Sequence, residues 1–147
     1  MKNKATGNIR HIGIVVQDMD LMTNFYTDTF GFKSNLLQNE SGPFISTILG
    51  HENIKVTTHK FLDEKGQCLE LLFFPDKPKM NKHRKDLFNL GIAHMALTVS
   101  DIDSIYDKLV SQGISFISPI QYAPGNKVKV VFCEDPEGNY LELVEEL

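Results

Sequence analysis

The sequence predicts an α+β protein built from two copies of a βαβββ module. Three observations carry that prediction. A strand-like segment with a central His occurs twice, as Ile9-Arg10-His11-Ile12-Gly13-Ile14-Val15-Val16-Gln17-Asp18-Met19-Asp20 and as Ile92-Ala93-His94-Met95-Ala96-Leu97-Thr98-Val99-Ser100-Asp101-Ile102-Asp103. Each copy runs into a helical pattern that ends at Gly31-Phe32 or Gly113-Ile114. Each half then closes on a Leu-Glu-Leu strand, Cys68-Leu69-Glu70-Leu71 in the first and Tyr140-Leu141-Glu142-Leu143 in the second. Repeated landmarks in the same order mark a duplicated unit.

The elements of the first module follow from local pattern. Ile12, Ile14 and Val16 alternate with His11, Gly13 and Val15, the period of a strand. Asp18 or Asp20 is placed to cap the next helix, whose face carries Met22, Phe25, Tyr26 and Phe30 before Gly31 ends it. Residues 32–39 form a second strand, Ser41-Gly42-Pro43 breaks it, and residues 44–49 suit a short helical lid. Residues 54–62 and 67–74 make a third and fourth strand around the turn Asp63-Glu64-Lys65-Gly66.

The second module repeats this more tersely. Ile102, Ile105, Leu109 and Val110 line a helix that Asp101 caps and Gly113 closes, and strands are expected over 115–120, 127–133 and 139–145. Pro124-Gly125-Asn126 and Asp135-Pro136-Glu137-Gly138-Asn139 supply the turns. The resulting layout is one domain over 1–147, with module one at about 8–75, a linker at 76–90 and module two at 91–147.

Composition excludes several function classes. A chain of 147 residues buries roughly two-thirds of its unfolded surface and needs no disulfide staples. A net charge of −4 gives no overall attraction to nucleic acid or anionic membrane. Cys68 and Cys133 stand far apart in no C-x-x-C arrangement, which fits a reducing compartment and no thiolate zinc site. The first residues lack the apolar core of a secretory signal, and no apolar run is long enough to span a bilayer. A cytoplasmic location is expected.

Four residues stand out chemically. In a strand, Glu70 shares its face with Cys68, Leu72 and Phe74, while Leu69, Leu71 and Phe73 take the other, so a carboxylate is set into a strand buried on both sides. Such a group needs a hydrogen bond, a counter-charge or a cation. Glu142 lies likewise between Tyr140 and Val144; His11 has Gly13 and Val15 as face-mates, and His94 has Ala96 and Thr98. A lone strand His is usually a hydrogen-bonded structural residue, and a lone Leu-Glu-Leu usually faces solvent. Two His and two Glu at matching positions of duplicated halves shift the balance toward one divalent-metal site, with donors that suit Zn, Ni, Co, Mn or Fe. His51, His59 and His83 have no repeat partners and read as surface residues.

These segments resemble the vicinal-oxygen-chelate superfamily, which includes glyoxalase I, methylmalonyl-CoA epimerase, extradiol dioxygenases and fosfomycin and bleomycin resistance proteins. The resemblance runs from Ile9 to Glu145 and rests on the two His-containing strands, Phe25-Tyr26 before Gly31-Phe32, Leu69-Glu70-Leu71, and Phe132-x-x-Asp135-Pro136-x-Gly138-Asn139-x-Leu141-Glu142-Leu143. It implies a U-shaped mixed sheet around one metal ion held by His11, Glu70, His94 and Glu142, with modules pairing within a chain or across a homodimer. A glutamate at the Glu70 position favours the proton-transfer branch, a glyoxalase I-like lyase or an epimerase, acting on a small molecule with a carbonyl or vicinal oxygens. The alternatives are a ring-cleaving dioxygenase and a non-catalytic binding or resistance protein. The resemblance offers two carboxylates for moving the proton, the ligand Glu142 and the loop residue Glu52, with Glu70 a further ligand of the same kind. The basic cluster Lys77, Lys79, Lys82, Arg84 and Lys85 reads as a solvated linker, and alternatively as a grip for an anionic carrier.

Overall fold

A computed structural model of the chain describes residues 7–78 and 86–147. The chain divides into two compact units, Met1–Lys79 and Met80–Leu147. The first contains β1 (Ile12–Val16), α1 (Met19–Phe30), β2 (Lys33–Ser41), α2 (Pro43–Leu49), β3 (Lys55–Leu62) and β4 (Cys68–Phe73). The second contains β5 (Met95–Thr98), α3 (Ile102–Ser111), β6 (Gln121–Tyr122), β7 (Val128–Glu134) and β8 (Tyr140–Glu146).

Each unit holds a four-stranded mixed sheet, ordered β1-β4-β3-β2 and β5-β8-β7-β6. The opening strand pairs parallel with the closing strand in both, and the remaining pairs are antiparallel. The registers coincide: Gly13 lies opposite Glu70, and Ala96 opposite Glu142. Both are two residues beyond a His, so the duplication extends to single rungs of the ladder.

Helix α1 starts where Asp18 accepts from the Leu21 N–H and stops at Gly31, whose φ of 71° only glycine adopts freely. It packs across β4, burying Met22, Phe25 and Tyr26. Alternation along β4 puts Leu69 and Leu71, both buried, on one face and leaves Glu70 on the other. The second unit repeats this with Ile102 and Leu109 on α3 and with Leu141 and Leu143 on β8. Each such fully buried leucine contributes roughly 2 kcal/mol. On the Glu70 face, Ile45 of α2 clusters with Ile54, Val56, Leu72 and Phe74, so the short helix covers the sheet beside the carboxylate.

Two tight turns feed the Glu strands, and they are the same turn. Asp63 Oδ1 accepts from the Lys65 and Gln67 N–H groups, and Asp135 Oδ1 accepts from those of Glu137 and Asn139. Gly66 and Gly138 supply the left-handed residue, with φ of 80° and 90°.

Three expectations are corrected. Residues 115–120 form no strand, only a bridge between Phe116 and Cys133, because Pro119 offers no N–H to a ladder and the chain bends through 117–119. Val110 is half exposed and lies off the buried face of α3. His59 is buried, not superficial: its Nδ1 lies 3.3 Å from Thr23 Oγ1, its Nε2 lies 2.7 Å from Ser34 Oγ, and its ring stacks on Phe61. His83 and the basic cluster, apart from Lys77, lie outside the described residues.

Burial lowers the pKa of His59 below the ordinary 6.5 by stripping water from the imidazolium. The unfolded chain takes up this proton first, so stability is full above about pH 6.5 and falls as acid approaches the lowered folded value. The apparent Tm is expected to drop from pH 7 toward pH 5.5 more steeply in wild type than in His59→Gln. Equal slopes would remove His59 from the acid response.

Candidate metal centre

His11 Nε2 lies 3.1 Å from Glu70 Oε2, and His94 Nε2 lies 3.1 Å from Glu142 Oε2. Each pair bridges the parallel strands of its own sheet, and the matching register explains why the two distances coincide. Glycine at position 13 matters for this geometry. A Cβ there would meet Leu72 Cδ1 at 3.2 Å and approach Glu70 Oε2 at 3.8 Å, so the missing side chain leaves the space beside the carboxylate open.

The two pairs differ in their surroundings. Glu70 is the more enclosed, its side chain 11% exposed against 26% for Glu142. Lys60 Nζ lies 3.4 Å from the other oxygen of Glu70. In the second sheet, Phe132 stands across from Glu142 and meets the His94 ring edge-on at 5.0 Å. No other ion pair engages Glu142 among the described residues.

An imidazole nitrogen and a carboxylate oxygen set 3.1 Å apart are donor types that first-row metals take. The donor chemistry therefore fits a divalent cation. Among the described residues, no three His, Cys, Asp or Glu side chains gather into one such group, so the structure brings the predicted ligands together as two pairs. Glu52 is not gathered with His11 and Glu70 of its own unit into one group. It is exposed in the turn between α2 and β3, on a shallow concavity shared with Ser46, His51 and Lys55, and neither His11 nor Glu70 lines it.

Two features beside the pairs escaped sequence reasoning. The turn aspartates were visible, each seven residues before its Glu, yet read only as turns. Lys60 had no local signal, since its neighbour Glu70 is reached only through the β3–β4 register.

A family model described as the glyoxalase/bleomycin resistance protein/dioxygenase superfamily matches residues 8–143. The chain belongs to this superfamily. Its resemblance to the solved glyoxalase family protein from Bacillus cereus covers 100% of this chain and 99% of that one, at 24% identity and a TM-score of 0.89. A probable lactoylglutathione lyase from Synechocystis is 30% identical over 139 residues, covering 92% of each. The lactoylglutathione lyase of Schizosaccharomyces pombe is 28% identical over 150 residues, and the chain spans about half of that relative's length, 48%. The fosfomycin resistance protein FosX of Listeria monocytogenes, solved with Mn(II) and sulfate, has the same fold at a TM-score of 0.64 and 14% identity, covering 97% of this chain and 95% of that one. The proteins similar to this chain thus include ones named as lyases and, at the level of the fold, one solved with manganese. No helix among the described residues of this member is long and apolar enough to cross a membrane.

Proposed function

We propose that this glyoxalase-superfamily protein is a divalent-metal-dependent enzyme that moves a proton at a carbon next to a chelated oxygen, in a lactoylglutathione lyase-like or epimerase-like reaction. The observation that carries the reading is the His–Glu pair occurring twice at one register, with a carboxylate in each. His11, Glu70, His94 and Glu142 would hold one ion, whether one chain or two copies in a homodimer supply the pairs. The bound cation supplies Lewis-acid polarisation of a substrate carbonyl or vicinal oxygen. The substrate is a small molecule bearing such oxygens, and the proposed location is the cytoplasm.

Glu142 is the proposed proton carrier. Its carboxylate takes the proton from the acidified carbon, becomes a carboxylic acid, and returns the proton to the same or the adjacent carbon. Its greater exposure, and its single ion-pair contact among the described residues, support that role, because a base must reach the atom it deprotonates. Glu52, a free loop carboxylate, is the rival base.

Solvent deuterium incorporation into hemithioacetal and epimerase-type substrates tests the reading. Wild type and Glu52→Gln are expected to exchange, and Glu142→Gln to lose exchange by about a thousandfold, near the middle of the range for removing a general base. Loss confined to Glu52→Gln would move the base to the loop. No exchange in any form, with oxygen uptake on a catechol, would place the protein with the dioxygenases. Ligand binding without turnover by metal-free protein would make it a binding member.

A further inference from the structure

Lys60 stands on β3 directly opposite Glu70 on β4. With Lys60 Nζ 3.4 Å from Oε1 and His11 Nε2 3.1 Å from Oε2, both oxygens of this carboxylate are engaged. The contact is partly shielded, the lysine side chain being 26% exposed and the glutamate 11%. The matching station in the second unit, opposite Glu142, is Phe132. Strand pairing therefore does not require a lysine there, and the repeat retains His and Glu while changing this third neighbour.

A buried carboxylate without a counter-charge is costly, and Lys60 supplies one in the absence of any metal. The same ammonium becomes a competitor once a divalent cation shares that carboxylate, because like charges repel strongly where water is scarce. Lys60 also restrains the Glu70 rotamer, which would favour metal capture. That gain is small, since Glu70 is already only 8% exposed and held through its other oxygen by His11. Repulsion wins.

We propose that Lys60 is a positioning residue that neutralises Glu70 before a cation arrives and lowers the affinity of this half-site for divalent metal. It makes the metal-free protein sturdier and the metal exchangeable. The proposal rests on the reading of the four residues as metal ligands.

Titration calorimetry with Mn(II), together with thermal melts of metal-free protein, tests it on wild type, Lys60→Met and Lys60→Arg. Lys60→Met, which keeps the stem and loses the charge, is expected to lower the Mn(II) Kd at least tenfold. The same variant should lower the Tm of metal-free protein by about 5 °C. Lys60→Arg, which keeps the charge, should hold the Kd within threefold of wild type. A lysine with a merely structural role would weaken both metal binding and stability when removed. An unchanged or weaker Mn(II) affinity in Lys60→Met overturns the proposal while leaving the metal reading intact. Wild type that binds no divalent metal overturns both.

Discussion

Replacing His94 or Glu70 with Ala is expected to abolish stoichiometric divalent-metal uptake, and wild type is expected to take up one ion per pair of modules. Each residue is one partner of a 3.1 Å His–Glu pair, so its loss removes a proposed donor and strands the other. Changes to outer-shell partners of metal ligands typically cost about 10- to 100-fold in affinity, and loss of a ligand exceeds that. Metal analysis of purified protein reads the outcome directly. His51→Ala serves as the control, because this exposed residue lies on the α2–β3 concavity, whose lining includes neither His11 nor Glu70. Full metal content in both His94→Ala and Glu70→Ala would dismantle the assignment.

Asp135→Ala is expected to cost as much stability as truncating a core side chain, although the residue lies in a turn. The Asp135 side chain is fully buried and accepts from the N–H groups of Glu137 and Asn139 at 3.0 and 2.9 Å, and from Asn139 Nδ2 at 2.8 Å. Alanine leaves two backbone donors unpartnered, at a cost of about 3 kcal/mol. For a chain of this size that corresponds to a Tm about 10 °C lower. Because the turn sets the start of β8, the variant should also lose metal affinity beyond what its stability predicts at low temperature. A shift under about 2 °C would show that the turn holds without its aspartate. Asn is the informative companion, since Asp135→Asn retains an acceptor for the same N–H groups.

Much of this organisation was legible in the chain. The two His strands, the two Leu-Glu-Leu strands and the aspartate-capped helices are local patterns with periods of two or near 3.6, and the structure places each near its expected bounds. What escaped depends on partners distant in sequence. His59 is buried because Ser34 and Thr23 reach it from β2 and α1. Lys60 matters because the β3–β4 register sets it against Glu70. The strand expected over 115–120 fails for a local reason: Pro119 outweighs the β-branched residues around it. The site divides the same way. The pairing of each His with its own Glu follows from strand order, whereas the proposed sharing of one ion by both pairs is a matter of assembly that periodicity does not encode.

The parallel pairing of β1 with β4, and of β5 with β8, has a kinetic consequence. The strand that opens each module is clamped by the strand that closes it, so the His meets its Glu only after nearly the whole module has been spanned. Pairings of such long sequence separation form late, since the entropy of closing the loop precedes any reward. During synthesis, a module whose final strand is still inside the ribosome carries its His but not yet the partner, and so has no His–Glu pair. With these pairs as the proposed metal ligands, capture of an ion would be deferred until each module is complete.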